Sequence, residues 1–203
     1  MNTAIGTTPT LLSTLWPAAE KSWLKMILLA LAGSVLLTIS AKIQIPFYPV
    51  PMTMQTFAVL VIGMAFGWKL GAATVLLYLV EGALWLPVFA GTPAKGIGLA
   101  YMSGPTGGYL IGFLISAGFL GYLGEKGFDR GIASTLVAMI AGTAIIFVFG
   151  FAWLAHLIGA EKAYTFGVAP FFWAAAFKIL LAALVLPGCW RYLGRRSERT
   201  ISE

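Results

Sequence analysis

A lysine in the middle of an apolar run is the residue with the most chemistry to offer in this chain. Lys178 stands alone within residues 171–190. An ammonium near the centre of a lipid-spanning helix costs about 2.5–3.5 kcal/mol on insertion scales unless it meets a partner or a polar cavity. Snorkelling would carry the charge to the interface, but Lys178 lies deeper than a lysine stem reaches. The reading adopted is a buried cation that holds a polar or anionic ligand. Glu81, within Tyr78-Leu79-Val80-Glu81-Gly82-Ala83, is as unusual in its surroundings. Either it pairs with Lys178, or it sits near an outer cavity and accepts hydrogen bonds from ligand N–H groups. Gln55 carries donors and an acceptor suited to an amide-like ligand, and equally suits the cap of a helix.

Glycines and rings supply the rest. The stretch Gly104-Pro105-Thr106-Gly107-Gly108-Tyr109 lies just before a helix but lacks the Gly-Lys-Ser/Thr ending of a nucleotide loop. Gly107 and Gly108 let the backbone approach a ligand and aim helix N-terminal amides at a negative or carbonyl group; the same residues also make a tight turn. Phe89, Tyr101, Tyr109 and Trp153, with Trp85, fall toward the outer half, where rings stack on a flat ligand; each alone also fits an interfacial aromatic belt. His156 is the single histidine, which excludes a His-Glu-x-x-His zinc protease and reads as interfacial. Nothing around Ser34, Ser40 or Ser116 forms a nucleophile motif. One cysteine, Cys189, excludes an internal disulfide and a cysteine-rich metal site. No catalytic residue, metal or resident cofactor is expected.

The elements that position these groups must live in lipid. The 203 residues are 60% apolar and 10% charged, with a mean hydropathy of +0.91, too little polar surface for a water-soluble fold. The 13 Lys and Arg exceed the 7 acids, yet they flank hydrophobic runs and form no stripe with exposed aromatics, so nucleic acid is not a partner. Six stretches read as membrane helices: 24–41, 56–68, 70–89, 107–123, 132–158 and 171–190. Six spans put Lys21, Lys25, Lys69, Lys126, Arg130, Arg191, Arg195, Arg196 and Arg199 on one side and Lys42, Lys95 and Lys162 on the other. Basic residues collect in cytoplasmic loops, so both termini are placed inside. Residues 1–22 do not read as a cleavable signal peptide. The division expected is a cytoplasmic segment at 1–23, flexible or interfacial over 3–16, a six-helix membrane domain at 24–193, and a basic cytoplasmic tail at 194–203. The proline-rich stretch 45–51 and the glycine-rich stretch 91–108 then share the outer face, where irregular backbone must line protein or a water-filled cavity. On the first helix Ala30, Gly33 and Ser34 form a small-residue patch at which a partner's helix, or one of this chain's own, approaches closely.

Three ordered motifs carry a resemblance. Pro49-Val50-Pro51-Met52-Thr53-Met54-Gln55-Thr56, then Leu76-Leu77-Tyr78 leading to Leu86-Pro87-Val88-Phe89-Ala90-Gly91, then Gly104-Pro105-Thr106-Gly107-Gly108-Tyr109 closely resemble the BioY family of biotin-binding S components of energy-coupling-factor (ECF) transporters. The resemblance implies an all-α integral membrane protein of six helices with an outward-facing cavity. It would sit in the cell (inner) membrane, capture biotin from outside, and work with a transmembrane coupling subunit and two ATPases, which alone would hydrolyse ATP. Some members lack such partners. Tyr78 joins the expected ligand contacts through its motif. In the family an Asp three residues before the Lys also contacts biotin; here Ala175 holds that position. Glu81 would then supply the carboxylate, or the ligand's polar end differs. Capture of another vitamin is the same-class alternative; an intramembrane enzyme or a structural anchor are the others.

The charge asymmetry can be checked directly. A cysteine at Ala94 is expected to react with a membrane-impermeant maleimide added outside intact cells, and one at Ser197 is expected to be shielded. The reverse pattern would overturn the six-span reading.

Overall fold

In hydrocarbon a backbone must satisfy its own hydrogen bonds, so long apolar runs without proline fold as helices. The computed structural model of the chain describes residues 8–17, 22–45 and 48–201, with side chains to residue 194. Lys21, Pro46, residues 3–7 and the side chains of Arg195, Arg196 and Arg199 lie outside the described set. The order of elements is α1 (Leu11–Leu15), α2 (Trp23–Lys42), β1 (Gln44–Ile45), β2 (Met52–Thr53), α3 (Gln55–Phe66) and α4 (Trp68–Ala83). There follow α5 (Gly98–Met102), α6 (Gly107–Gly124), α7 (Ile132–Ile158), α8 (Ala160–Gly167), a 3₁₀ turn (Ala169–Phe171) and α9 (Phe172–Ile201). The two short strands pair antiparallel around the proline-rich stretch, Gln44 opposite Thr53 and Ile45 opposite Met52.

Among the described residues, four stretches are long and apolar enough to cross a bilayer: α2, α6, α7 and the segment Ala160–Gly194 that contains α8 and most of α9. The second and third expected spans are shorter than read from hydropathy. The 12 residues of α3 rise about 18 Å, well under the roughly 30 Å of a hydrocarbon core. The third stops at Ala83 rather than Phe89. Pro87 has no N–H to continue the helix and holds Leu86 out of the α region, so the chain turns back before it. That return lays the Phe89 ring on Gly82, where any side chain would collide with it.

At its other end α4 meets α3 through the single residue Gly67, at φ +81°. Glu125, at the end of α6, accepts from the Trp68 amide (3.1 Å) and so caps α4, while its carbonyl takes the Thr8 amide at 2.8 Å. Residues 8–15 are therefore docked, with Leu11 buried, which corrects the flexible reading for that part of the N-terminal segment. Similarly, α9 runs without a break to Ile201, so the basic tail continues a helix as far as that residue.

The centre of the bundle is α6, packed on α3, α4 and α7. Association of helices in lipid relies on close packing rather than on a hydrophobic driving force. A Cβ at Gly63 of α3 would lie 2.8 Å from the Cα and carbonyl oxygen of Ala117, and one at Gly112 would lie 2.8 Å from the Cα of Ile146. The patch Ala30, Gly33 and Ser34 behaves the same way within the chain. All three are buried, and Gly33 faces Thr74 of α4 and the Phe66 ring. This corrects the expectation that the patch faces a partner: the helix that uses its smallness is α4.

Gly63→Ala is expected to lower the unfolding temperature in detergent, since a backbone cannot yield as a flexible side chain does; overpacking costs about 1–3 kcal/mol. Gly188→Ala, where nothing lies within 4 Å, should be neutral or slightly stabilising. Equal effects at the two sites would contradict the close crossing.

Candidate functional site

A cavity lies where the strand pair, the 84–106 loop and the first turns of α3 and α6 converge. It contains about 570 Å³ of atom-free space, part of it open at the mouth. One wall is Val50, Pro51, Thr53, Gln55 and Thr56, set by the proline-rich turn and the N-terminus of α3. Opposite lie Phe89 and Ala90 of the loop, Tyr101 of α5, and Thr106 and Tyr109 at the start of α6. The floor is apolar: Leu110, Phe113, Ile146, Phe147 and Phe171.

The rings are held firmly. Phe89 stacks on Tyr101, centroids 4.9 Å apart at 18°, and Tyr78 meets the Phe89 edge at 5.3 Å. Each phenol has a carbonyl partner: Tyr101 donates to Ala90 (2.8 Å), Tyr109 to Gly167 (2.7 Å) and Tyr78 to Val88 (3.2 Å). Burial pushes the pKa of Tyr101 up, partly offset by its hydrogen bond with Thr106, so it stays a neutral donor. Lys42, the last residue of α2, fastens the same loop, donating to the carbonyls of Phe89 (2.9 Å) and Thr92 (3.1 Å) and to the Thr92 hydroxyl (2.9 Å).

Two polar groups stand out. Gln55 is 3% exposed. Its side chain lies near the Tyr78 hydroxyl, but Nε2 has no hydrogen bond of acceptable geometry among the described residues. A buried amide left so is costly unless something else accepts from it. Lys178 is also buried, 6% exposed, and its ammonium donates to the carbonyl of Thr53, a cavity-wall residue. It stands one layer behind the lining.

The structure thus brings Gln55, Phe89, Tyr101 and Tyr109 together around one space, with Tyr78 and Lys178 directly behind it. It separates the others. The half-buried Glu81 accepts from Ser34 of α2 at 2.9 Å; it neither pairs with Lys178 nor lines the cavity. Gly107 and Gly108 let α6 approach the Met102 carbonyl and the backbone of α7, so their close approach is internal. Trp153 donates from its indole to the Gly104 carbonyl at 2.9 Å and fixes the turn from outside. His156 lies beside Trp153, ring centroids 6.3 Å apart, away from the cavity. Ala175 is absent from the lining as well. Thr53, Thr56 and Thr106 were not singled out by chemistry, although each lies in a motif quoted above. Phe113, Ile146 and Phe147 had no signal, being apolar residues in apolar helices.

The BioY family pattern matches residues 11–195, nearly the whole chain. This chain belongs to the BioY family. Among relatives of this BioY protein, a sequence from Thermotoga maritima named biotin transporter BioY is 39% identical over 153 residues, 75% of this chain and 88% of that one. A Pyrococcus horikoshii sequence named probable biotin transporter BioY is 38% identical over 150 residues, covering 74% and 86%. One from Rhizobium etli, also named biotin transporter BioY, is 33% identical over 171 residues, covering 79% and 89%. A solved structure described as the S-component for biotin from an ECF-type ABC transporter superposes with a TM-score of 0.66. It is 22% identical, and the match covers 83% of this chain and 92% of that one; it shows that the fold is shared.

Because Lys178 and Glu81 have separate partners, their effects on stability should add. A double-mutant cycle of Lys178→Met and Glu81→Gln is expected to give a coupling within about 0.5 kcal/mol in detergent unfolding. Rescue of one mutant by the other would restore the ion-pair reading.

Proposed function

We propose that this BioY protein is the substrate-capture component for biotin, taking the vitamin into the cavity described above and delivering it across the membrane. Biotin presents a urea with one carbonyl and two N–H groups, a thioether ring, and an aliphatic tail ending in a carboxylate. The site offers counterparts for the urea carbonyl, the ring system, the tail and the carboxylate. Gln55 carries a free amide N–H for the urea carbonyl, beside the hydroxyls of Thr53 and Thr56. The stacked Phe89 and Tyr101 and the floor of Phe113 and Phe147 suit the ring system and tail.

The observation that carries the reading is Lys178. Its hydrogen bond goes to a peptide carbonyl and the nearby acid of the family pattern is Ala175, so the buried cation meets no carboxylate of its own chain there. A ligand carboxylate arriving at Thr53 would exchange a neutral acceptor for a charged one, a bond roughly twice as strong. The names borne by the relatives point to the same vitamin.

On this reading α2, α3, α4, α6, α7 and α9 form six spans in the cell membrane, with the cavity outward and both termini cytoplasmic, as the charge asymmetry indicates. The chain has no nucleotide motif, performs no catalytic step, and borrows its energy from ECF coupling and ATPase subunits where these are present.

Titration of the purified protein with biotin tests this. Binding is expected, and Lys178→Met should weaken it by about 1.5–3 kcal/mol, roughly tenfold to over a hundredfold, with the fold intact. The same substitution should erase any preference for biotin over its methyl ester, because the ester lacks the charge. Gln55→Met, similar in volume, should cost about 0.5–1.5 kcal/mol of affinity, roughly two- to twelvefold, while leaving stability unchanged or improved. Absence of biotin binding, with binding of another vitamin, would transfer the site to that ligand.

A further inference from the structure

At the basic end of the bundle, a carboxylate is buried that the cavity does not use. Asp129, in the turn between α6 and α7, is 0% exposed. Its Oδ2 accepts the indole N–H of Trp190 on α9 at 2.6 Å, while Oδ1 has no partner among the described residues. The neighbouring Arg130 lays its guanidinium over the same indole, 4.8 Å from the ring centre. Burial raises the pKa of Asp129, against the opposing pull of the Trp190 hydrogen bond, its own backbone amide and Arg130. A half-satisfied buried carboxylate is a poor way to gain stability, since a well-packed apolar residue would do as well or better. What the group does supply is a fixed position for Trp190.

The rest of α9 gives that position its meaning. The helix is held by polar side chains at two described points, Lys178 at the Thr53 carbonyl and Trp190 at Asp129. These lie about 18 Å apart along the axis. Between them sits Pro187, inside the helix. It withholds an N–H from the ladder and wedges the preceding turn, which makes it the natural place for α9 to bend. Ala182, Ala183 and Leu186, just before the proline, are fully packed in the core, so a shift of the Lys178 half is guided toward this joint rather than dissipated.

We propose that Asp129 is a positioning residue that clamps the basic end of α9, so that a change at Lys178 when the cavity fills is delivered through Pro187 to the cytoplasmic face. This rests on the capture reading given above. The clamp contributes nothing to the ligand's own contacts; it determines whether the far end of the molecule registers that the ligand is present.

Cys189, the single cysteine, is exposed and adjacent to Trp190, and so provides a reporter. The full-length protein in nanodiscs, labelled there with an environment-sensitive fluorophore, is titrated with biotin, and affinity is measured separately by calorimetry. Wild type is expected to show an emission shift that saturates with binding. In Asp129→Ala the shift should be lost while affinity stays within about twofold, as for distant sites that do not share partners. Asp129→Asn, which keeps an oxygen to accept the indole N–H, should restore it. Trp190→Phe keeps the ring under Arg130 but removes the donor, and should match Asp129→Ala; it serves also if the alanine variant fails to fold. Binding without an emission shift in wild type, an undiminished shift in both loss variants, or no recovery in Asp129→Asn would each overturn the clamp alone. Absence of biotin binding in wild type would overturn the capture reading, and the clamp with it.

Discussion

Everything around the cavity depends on where the charge of Lys178 goes. An ammonium at that depth must have a polar partner, and a peptide carbonyl on the strand pair provides it. The bond ties α9, the last helix, to residues that follow the proline-rich turn, over a hundred residues earlier in the chain. It thereby fixes the wall carrying Thr53 and Gln55 opposite the wall carrying Phe89 and Tyr101. A neutral side chain at 178 would pack at least as easily, but it would leave that wall held only by α3 and by its pairing with β1.

The second constraint is the absence of a hydrophobic force between helices in lipid. The bundle coheres where backbones touch, at Gly63 on Ala117 and Gly112 on Ile146. The loops cohere through aromatic hydroxyls and one lysine that find carbonyls: Tyr78, Tyr101, Tyr109 and Lys42. Apart from that of Gly167, the last residue of α8, these carbonyls belong to chain that is neither helix nor sheet. The cavity is thus the space enclosed by a segment several of whose backbone carbonyls are held by side-chain donors.

What was legible in the sequence was whatever violates its surroundings. Lys178 and Gln55 stand out because polar side chains are expensive among apolar ones, and Phe89 and Tyr109 stand in the quoted motifs, with Tyr101 between them. What was illegible was direction. Ala30, Gly33 and Ser34 announce a close contact, but smallness does not say with which helix, and the structure brings Gly33 and Ser34 against α4. Glu81 announces a partner, but a serine hydroxyl suffices. Thr53 acts through its carbonyl, which every residue type possesses. Phe113, Ile146 and Phe147 line the cavity with the same side chains that face lipid elsewhere. Asp129 reads as an ordinary loop charge, because its burial depends on Trp190, far along the sequence. The end of α4 was readable at Pro87, but continuous hydropathy masked it.

The depth of Lys178 has an electrical consequence. It lies six residues into α9, about 9 Å along the axis, or roughly a third of the hydrocarbon thickness. On the proposed orientation, an anion travelling from the mouth to that ammonium crosses a comparable share of the transmembrane field. A full crossing is worth about 2.3 kcal/mol per 100 mV, so a third of it is about 0.8 kcal/mol. With the cell interior negative, the field opposes the arrival of a carboxylate from outside and leaves a neutral ester unaffected. If the protein captures an anionic vitamin as proposed, that capture is weaker in a polarised membrane than in a detergent micelle, by an amount that the position of one lysine determines.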